Sequence, residues 1–393
     1  MGFSFNDIPP ELIYEIFAAM DPKTLLHCCS VCRLWNGTIQ GSLELQYAIE
    51  LLVEGMVPGS LPMGAPQALQ ALQASRHAWR NLKWRSKLGR KPAYGYNLIQ
   101  RLSICHAWEL AGGLFVQQKG GTKDLLSVVF SSGHGGDPRV TAVEKIRANE
   151  LREDLRDIAI DPTQDLIVRF YASFRQGAVL VCRTISTEEY HPLASNPALE
   201  LGSYRHPFRG LSMQLAGDVT KIAQWAAVAS ADFHLLSPRS YVLLRAPNSR
   251  AEADAGQPGQ IDIFTFRAEN YNDPTQLVTL LLPETVRYMP LTIPTIDLGP
   301  FIADPIPGIP FSKSNEHRIC VFLLEYNFQV FFRLFVPYRY FHRYIAISGD
   351  DGESLRVPIV KWEEWGPQNS RMLSVSGRTE RKDRQVHGER ALS

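Results

Sequence analysis

The stretch Pro9-Pro10-Glu11-Leu12-Ile13-Tyr14-Glu15-Ile16-Phe17-Ala18-Ala19-Met20-Asp21-Pro22 carries the reading of this 393-residue chain. Leu12, Ile13, Ile16, Phe17 and Met20 recur at helical spacing, with Glu11 and Glu15 outside the stripe. That is the pattern of a helix with one apolar face. Asp21-Pro22 predicts a stop followed by a new start. The carboxylate can accept hydrogen bonds from free backbone amides as an N-cap, and proline at the first helical position gives up no donor the helix needs. Leu25, Leu26, Cys29, Val31, Cys32 and Trp35 supply the apolar side of the next helical stretch, and Asn36-Gly37 offers a kink or stop.

Working outward, a further amphipathic helix is expected through Leu45, Ala48, Ile49, Leu52, Val53 and Met56, ending at Pro58-Gly59. Residues 60–66, rich in Pro, Gly and Ser, read as a connector. Another helix runs through Leu69, Leu72, Trp79 and Leu82 towards Gly89 and Pro92. Beyond Tyr94 the period changes from helical to β. Short runs bounded by turn residues recur, among them 114–117, 127–130, 166–171, 178–182, 241–245, 261–266 and 318–326. Asp161-Pro162-Thr163-Gln164 is a turn between two strands, because proline presets the φ its turn position wants. A second hairpin is expected from Phe233 to Leu244, turning at Ser237-Pro238. Residues 246–260, rich in Ala, Gly, Pro and charge, read as a loop.

About 280 residues of short strands suit six or seven four-stranded blades at ~40–45 residues each. There is no Trp-Asp dipeptide and no crisp repeat, so a β-sandwich or two smaller β-domains stay open beside an irregular β-propeller. The fold class is therefore α+β multidomain, helical first and all-β after. The expected boundaries are 1–45 and 46–92 for two helical segments, 93–369 for the β-rich domain, and 370–393 for a polar, basic, fraying tail.

Lys plus Arg (41) nearly balances Asp plus Glu (40), a formal net charge of +1. Such a balance gives no electrostatic case for nucleic acid or an anionic membrane. Six cysteines, three of them crowded at Cys28, Cys29 and Cys32, make no disulfide framework and fit a reducing cytoplasmic or nuclear setting. No basic n-region precedes an apolar stretch, Asn6 stands where myristoylation wants Ser or Thr, and no apolar run approaches the ~20 residues that span a bilayer. A soluble protein without a membrane partner is expected.

The N-terminal residues resemble the F-box family. The matching positions are Ile8-Pro9-Pro10-Glu11-Leu12, then Ile16-Phe17, then Met20 to Leu26, then Ser30-Val31-Cys32-Arg33-Leu34-Trp35. They cover about forty residues, roughly a tenth of the chain. The resemblance implies a three-helix module that docks a Skp-type adaptor and, through it, a cullin, with Ile8, Pro9, Leu12, Ile16, Leu25, Val31 and Trp35 as the adaptor contacts. Physical size agrees with that implication: forty residues cannot bury all these large apolar groups among themselves, so some must meet a partner. The arrangement of F-box, helical spacer and long β-rich remainder also looks like F-box proteins of mushroom-forming fungi.

On this reading the protein is a substrate-recognition adaptor of a Skp–cullin–F-box ubiquitin ligase, with no catalytic residue, no cofactor and no metal. An adaptor-binding scaffold without a degradation role and a propeller-type hydrolase are the rivals. Cys29 and Cys32 have the spacing of half a zinc site but lack a second pair. Gly133-His134-Gly135-Gly136 is similar to an esterase oxyanion loop, yet no Gly-x-Ser-x-Gly elbow occurs. The basic, aromatic stretch 76–91 reads as the solvated face of the spacer helix, with Trp79 and Leu82 packed against the β-domain. The aromatic run 331–344 reads mostly as buried strands. Its second half, Tyr338, Arg339, Tyr340, His342, Arg343 and Tyr344, is the candidate substrate-binding patch, because aromatics and Arg dominate interface hot spots.

Overall fold

A computed structural model of the protein describes residues 8–81, 108–111, 114–118, 125–129, 139–142, 155–173, 177–202, 213–215, 231–247, 257–267, 270–284, 291–299, 301, 309–327, 330–347, 357–375, 386–387 and 390–391. The chain forms two compact units. One comprises Met1–Ala93 with Pro305–Ser314, the other Tyr94–Asp304 with Asn315–Ser393.

The first unit holds α1 (Pro10–Ala18), α2 (Pro22–Cys28), α3 (Arg33–Gly41), α4 (Leu43–Val53) and α5 (Ala65–Arg80). The predicted cap is present: Asp21 accepts from the amides of Lys23 (3.1 Å) and Thr24 (3.0 Å), with Pro22 opening α2. Ser42 caps α4 by accepting from Leu45 N at 3.3 Å. Ile13 and Phe17 of α1, Leu25 and Cys28 of α2, Ile39 of α3, and Leu45 and Ile49 of α4 close one core. An expected boundary at residue 45 is therefore corrected. It would cut inside α4, because α4 supplies two side chains that the first three helices need for burial. Arg76 on α5 pairs with Glu50 and Glu54 on α4, which ties the last two helices together.

After α4 the chain forms β1 (Met56–Pro58), paired antiparallel with the short strand Phe311–Lys313 (β15 in chain order), Met56 opposite Lys313 and Pro58 opposite Phe311. Gly59 N and Leu61 N donate to Pro310 O and Ile309 O, both at 3.0 Å. The approach is so close that a Cβ on Gly59 would sit 2.1 Å from Ile309 O, so only glycine fits. Residues almost 250 positions later thus complete the helical unit.

The second unit contains antiparallel meanders taken in chain order. The first is β2 (Trp108–Ala111), β3 (Leu114–Gln118), β4 (Leu125–Val129) and β5 (Arg139–Ala142). The second is β6 (Leu155–Asp161), β7 (Leu166–Ser173), β8 (Gly177–Thr184) and β9 (Ala198–Gly202). The third runs β10 (Ala231–Ser237), β11 (Ser240–Arg245), β12 (Gln260–Arg267) and β13 (Asn270–Leu281), with β18 (Ile359–Val360) added in parallel. The fourth has the order β14 (Leu291–Asp297), β16 (Ile319–Tyr326), β17 (Val330–Pro337), β19 (Arg371–Val375). A two-stranded ladder joins β20 (Val386–His387) to β21 (Arg390–Ala391). Helix α6 (Tyr338–Ile347) follows β17 directly, and α7 (Trp362–Asn369) precedes β19. Among the described residues there are four sheets of four or five strands, not the six or seven expected.

Both predicted hairpins occur. At the first, the Asp161 carboxylate accepts from Thr163 N (3.0 Å), Thr163 Oγ1 (2.6 Å) and Gln164 Nε2 (2.7 Å), which holds the turn between β6 and β7. Ala111, Leu114 and Val116 of the first sheet share a core with Ile158, Ile160 and Ile167 of the second. A larger core joins the third and fourth sheets through Val242, Ile261, Leu280, Phe322 and Leu334, with Phe341 of α6 and Trp365 of α7 sealed into it. Trp365 also donates Nε1–H to Leu281 O at 2.8 Å. Asp262, fully buried on β12, is met by Arg245, Gln260, Gln276 and the Thr279 hydroxyl. So many donors compensate the cost of its desolvation.

Two expectations about the C-terminal part need correcting. The tail does not fray from residue 370: Arg371–Val375 is a strand zipped to β17, Phe335 opposite Arg371. Met372 and Leu373 stand side by side without alternation, so the segment carries only a weak strand signal, and the edge of β17 supplies the rest. The run 331–344 is strand only as far as Pro337, then helix.

Candidate functional site

Helices α1 to α3 carry two apolar layers. On α1, Ile13 and Phe17 point inward, while Leu12 (55% exposed) and Ile16 (45%) stand one residue before each, ~100° around the helix. On α2, Leu25 and Cys28 are buried and Leu26 is 45% exposed. Between α2 and α3 the chain turns through Ser30, Val31 and Cys32, leaving Val31 63% exposed. That turn is held from within. Val31 N donates to Cys28 O (3.1 Å), Ser30 Oγ donates to His27 O (2.7 Å), and Cys32 Sγ accepts from Trp35 N (3.5 Å) as the cap of α3. Val31 is thus presented on a backbone whose hydrogen bonds are already made.

Of the residues the sequence singled out, Pro9, Leu12, Ile16 and Val31 are exposed, and Ile8 and Trp35 are half-buried against the core. The Trp35 ring packs edge-on to Phe17, centroids 5.6 Å apart. Leu25 is corrected. At 1% exposure it belongs to the interior of this unit, because α2 turns Leu25 and Cys28 to the same inner side. Two exposed residues were missed, Leu26 and Leu34 (42%). The signal for them was adjacency: each sits beside a residue that packs inward, Leu25 and Trp35, and so turns outward. Burying a side chain of this size contributes ~1.5–3 kcal/mol, so a partner covering Leu12, Ile16, Leu26, Val31 and Leu34 has a large driving force available.

The second candidate patch divides. Tyr338 and Tyr340 are buried at 3% and 4%, so they are not a platform but part of the core of the β-rich unit. Tyr340 stacks on Trp365 at 5.8 Å, which explains its burial. Arg339, His342 and Arg343 are exposed on the outer side of α6, and Tyr344 is half-buried. Arg343 donates to the hydroxyls of Tyr340 (2.6 Å) and Tyr344 (2.5 Å) and lies 3.8 Å from the Tyr340 ring centroid. What faces outward there is cationic, with the aromatic rings beneath.

Burial raises the pKa of Cys29 and Cys182 and pushes Cys320 up to about 12, so these thiols stay protonated and are poor nucleophiles. Among the described residues no group of three His, Cys, Asp or Glu side chains gathers to hold a metal ion, and no helix is long and apolar enough to cross a membrane. Gly133–Gly136, Leu82 and the basic residues 83–91 lie outside the described residues.

The helical unit has the construction of an interaction module: a closed inner core and an outer apolar set on α1, α2 and the turn into α3. Residues 5–44 match the family described as F-box-like, and the chain carries an F-box-like domain over that span. Such domains bind Skp-type adaptors and are interaction modules, not enzymes. A comparison with the curated proteins returns no match.

Proposed function

We propose that this protein is the substrate-recognition subunit of a Skp–cullin–F-box ubiquitin ligase, acting in the cytoplasm or nucleus. The observation that carries the reading is the exposure of Leu12, Ile16 and Val31 on an F-box-like domain whose inner core is already complete. These side chains dock the Skp-type adaptor, with Pro9 and Leu26 beside them. The β-rich unit binds a protein substrate. Its mechanism is proximity: tethering turns a bimolecular encounter with the charged ubiquitin-conjugating enzyme into an effectively intramolecular one. Within the β-rich unit, the exposed side chains of Arg339, His342 and Arg343 on α6 are the substrate contacts this reading favours. We read its consecutive meanders, with β2 against β6 and β10 against β14, as an irregular propeller.

The test is co-purification of the full chain with a Skp-type adaptor. The double variant Leu12→Asp, Val31→Asp changes two exposed residues, leaves the inner core untouched and is expected to abolish capture. Circular dichroism and the unfolding midpoint should stay at wild-type values. Undiminished capture would reject the assignment.

A further inference from the structure

The second sheet of the β-rich unit buries an arginine whose donors are only partly met. Arg169 on β7 is opposite Val181, and Tyr171 opposite Val179; Arg183 lies two residues beyond Val181 on β8. With the two-residue period of a strand, all three side chains share one face of the sheet, the face whose neighbours include Ile158, Ile160 and Ile167. Arg169 is 0% exposed. Its Nη2 is paired to the Glu188 carboxylate at 2.5 Å, while Nε and Nη1 have no hydrogen-bond partner among the described residues. The Tyr171 hydroxyl is buried, within reach of the Arg169 guanidinium but without a hydrogen bond of full geometry among the described residues. It lies near enough to Arg169, Arg183 and Glu188 to feel the charge of each. Arg183 donates Nη1–H to Glu188 O at 2.5 Å and stands 4.7 Å over the Tyr190 ring. Both guanidinium groups are therefore held by Glu188, Arg169 by its carboxylate and Arg183 by its backbone carbonyl.

Glu188 is also conformationally unusual. Its φ is 62°, a left-handed backbone that a glutamate rarely adopts. It sits in the turn after β8, where Ser186, Thr187, Glu189 and Tyr190 are exposed. Side-chain ties across this turn run from Ser186 to Asp165 and between Thr184 and Thr187. A strained, partly exposed residue thus delivers the carboxylate that meets the fully buried Arg169. Unpaired buried donors on a cation are costly, and one carboxylate oxygen reaches only Nη2. A tetrahedral oxyanion that displaces the carboxylate brings more acceptors to the same place: it can bridge one edge of the guanidinium, Nη2 with Nε or with Nη1, and accept from the Tyr171 hydroxyl as well.

We propose that Arg169, Tyr171 and Arg183 form a binding site for a phosphate-type oxyanion, with the Glu188 carboxylate as an internal placeholder that the ligand displaces. The site is independent of the adaptor face and stands whether or not the ligase reading does.

Inorganic phosphate is titrated into the full chain by isothermal calorimetry, with ionic strength held constant by sodium chloride. Saturable one-site binding is expected for the wild type. Glu188→Gln removes the competing charge and should tighten binding at least about threefold. Tyr171→Phe keeps the shape, removes one donor and should weaken binding about fivefold. Arg169→Gln should abolish it; because that variant can lose its fold, the decision rests on the other two. Acetate, with fewer acceptors, should bind at least about tenfold more weakly than phosphate. The proposal is overturned by absence of saturable binding in both wild type and Glu188→Gln, by unchanged affinity in both Glu188→Gln and Tyr171→Phe, or by acetate matching phosphate.

Discussion

The helical unit and the β-rich unit use their apolar residues differently. On α1 and α2, three buried side chains have an exposed apolar neighbour: Ile13 beside Leu12, Phe17 beside Ile16, Leu25 beside Leu26. In the third and fourth sheets and the helices packed on them the bulkiest rings go inward together, with Tyr241, Phe322, Phe341 and Trp365 all at 0% exposure. A short helical segment has too little interior for both layers, so one is left for a partner. Two packed sheets and their helices have an interior large enough for theirs. The contrast separates residues kept for folding from residues kept for association.

The largest expected effect that probes this contrast is in the β-rich core. Trp365→Ala removes a fully buried ring and its hydrogen bond to Leu281, and should cost ~3–5 kcal/mol in denaturant unfolding of that unit. Adaptor capture should be unchanged, and its loss would blur the division of roles. Next comes the pair Leu25 and Leu12. Leu25→Ala should cost ~2–5 kcal/mol through the cavity it leaves, whereas Leu12→Ala should stay within ~0.5 kcal/mol of wild type yet weaken adaptor binding. Equal stability losses for the two would erase the inner and outer layers. The smallest effect concerns the cap of α2. The Thr24 side chain and the Thr24 and Lys23 amides hold the Asp21 carboxyl below its ordinary value of 3.8. A depressed carboxylate pKa means the folded state binds its proton less readily than the unfolded state. The cap's contribution is therefore full above the ordinary value and fades as pH falls through the lower, folded one. Asp21→Ala should lower the unfolding midpoint slightly at pH 7, and the difference from wild type should shrink towards pH 3.

How far the sequence could be read depended on how local the determinants were. The Asp21 cap, the Pro22 start and the Asp161–Gln164 turn each depend on residues within four positions of one another, and each stands as expected. Leu25 was misassigned because a family pattern marks which positions are apolar without saying which way each faces. Tyr338 and Tyr340 were misassigned because an aromatic run is compatible with an interface or a core, and only the stacking of Tyr340 on Trp365 chooses between them. Leu26 and Leu34 became visible as candidates only when their neighbours were seen to point inward.

Sequence alone determined the helical start and the change to β-structure after Tyr94, because helix periodicity, caps and turns are short-range physics; the F-box-like character of residues 5–44 came instead from their match to that family. Only the tertiary structure decided that β1 would find its partner at Phe311–Lys313, that residues 371–375 would zip onto β17, and that Glu188 would meet Arg169 with its carboxylate and Arg183 with its backbone carbonyl. Those pairings join segments whose local patterns do not name each other; backbone edges and buried charges are satisfied by whichever group the folded chain brings within reach.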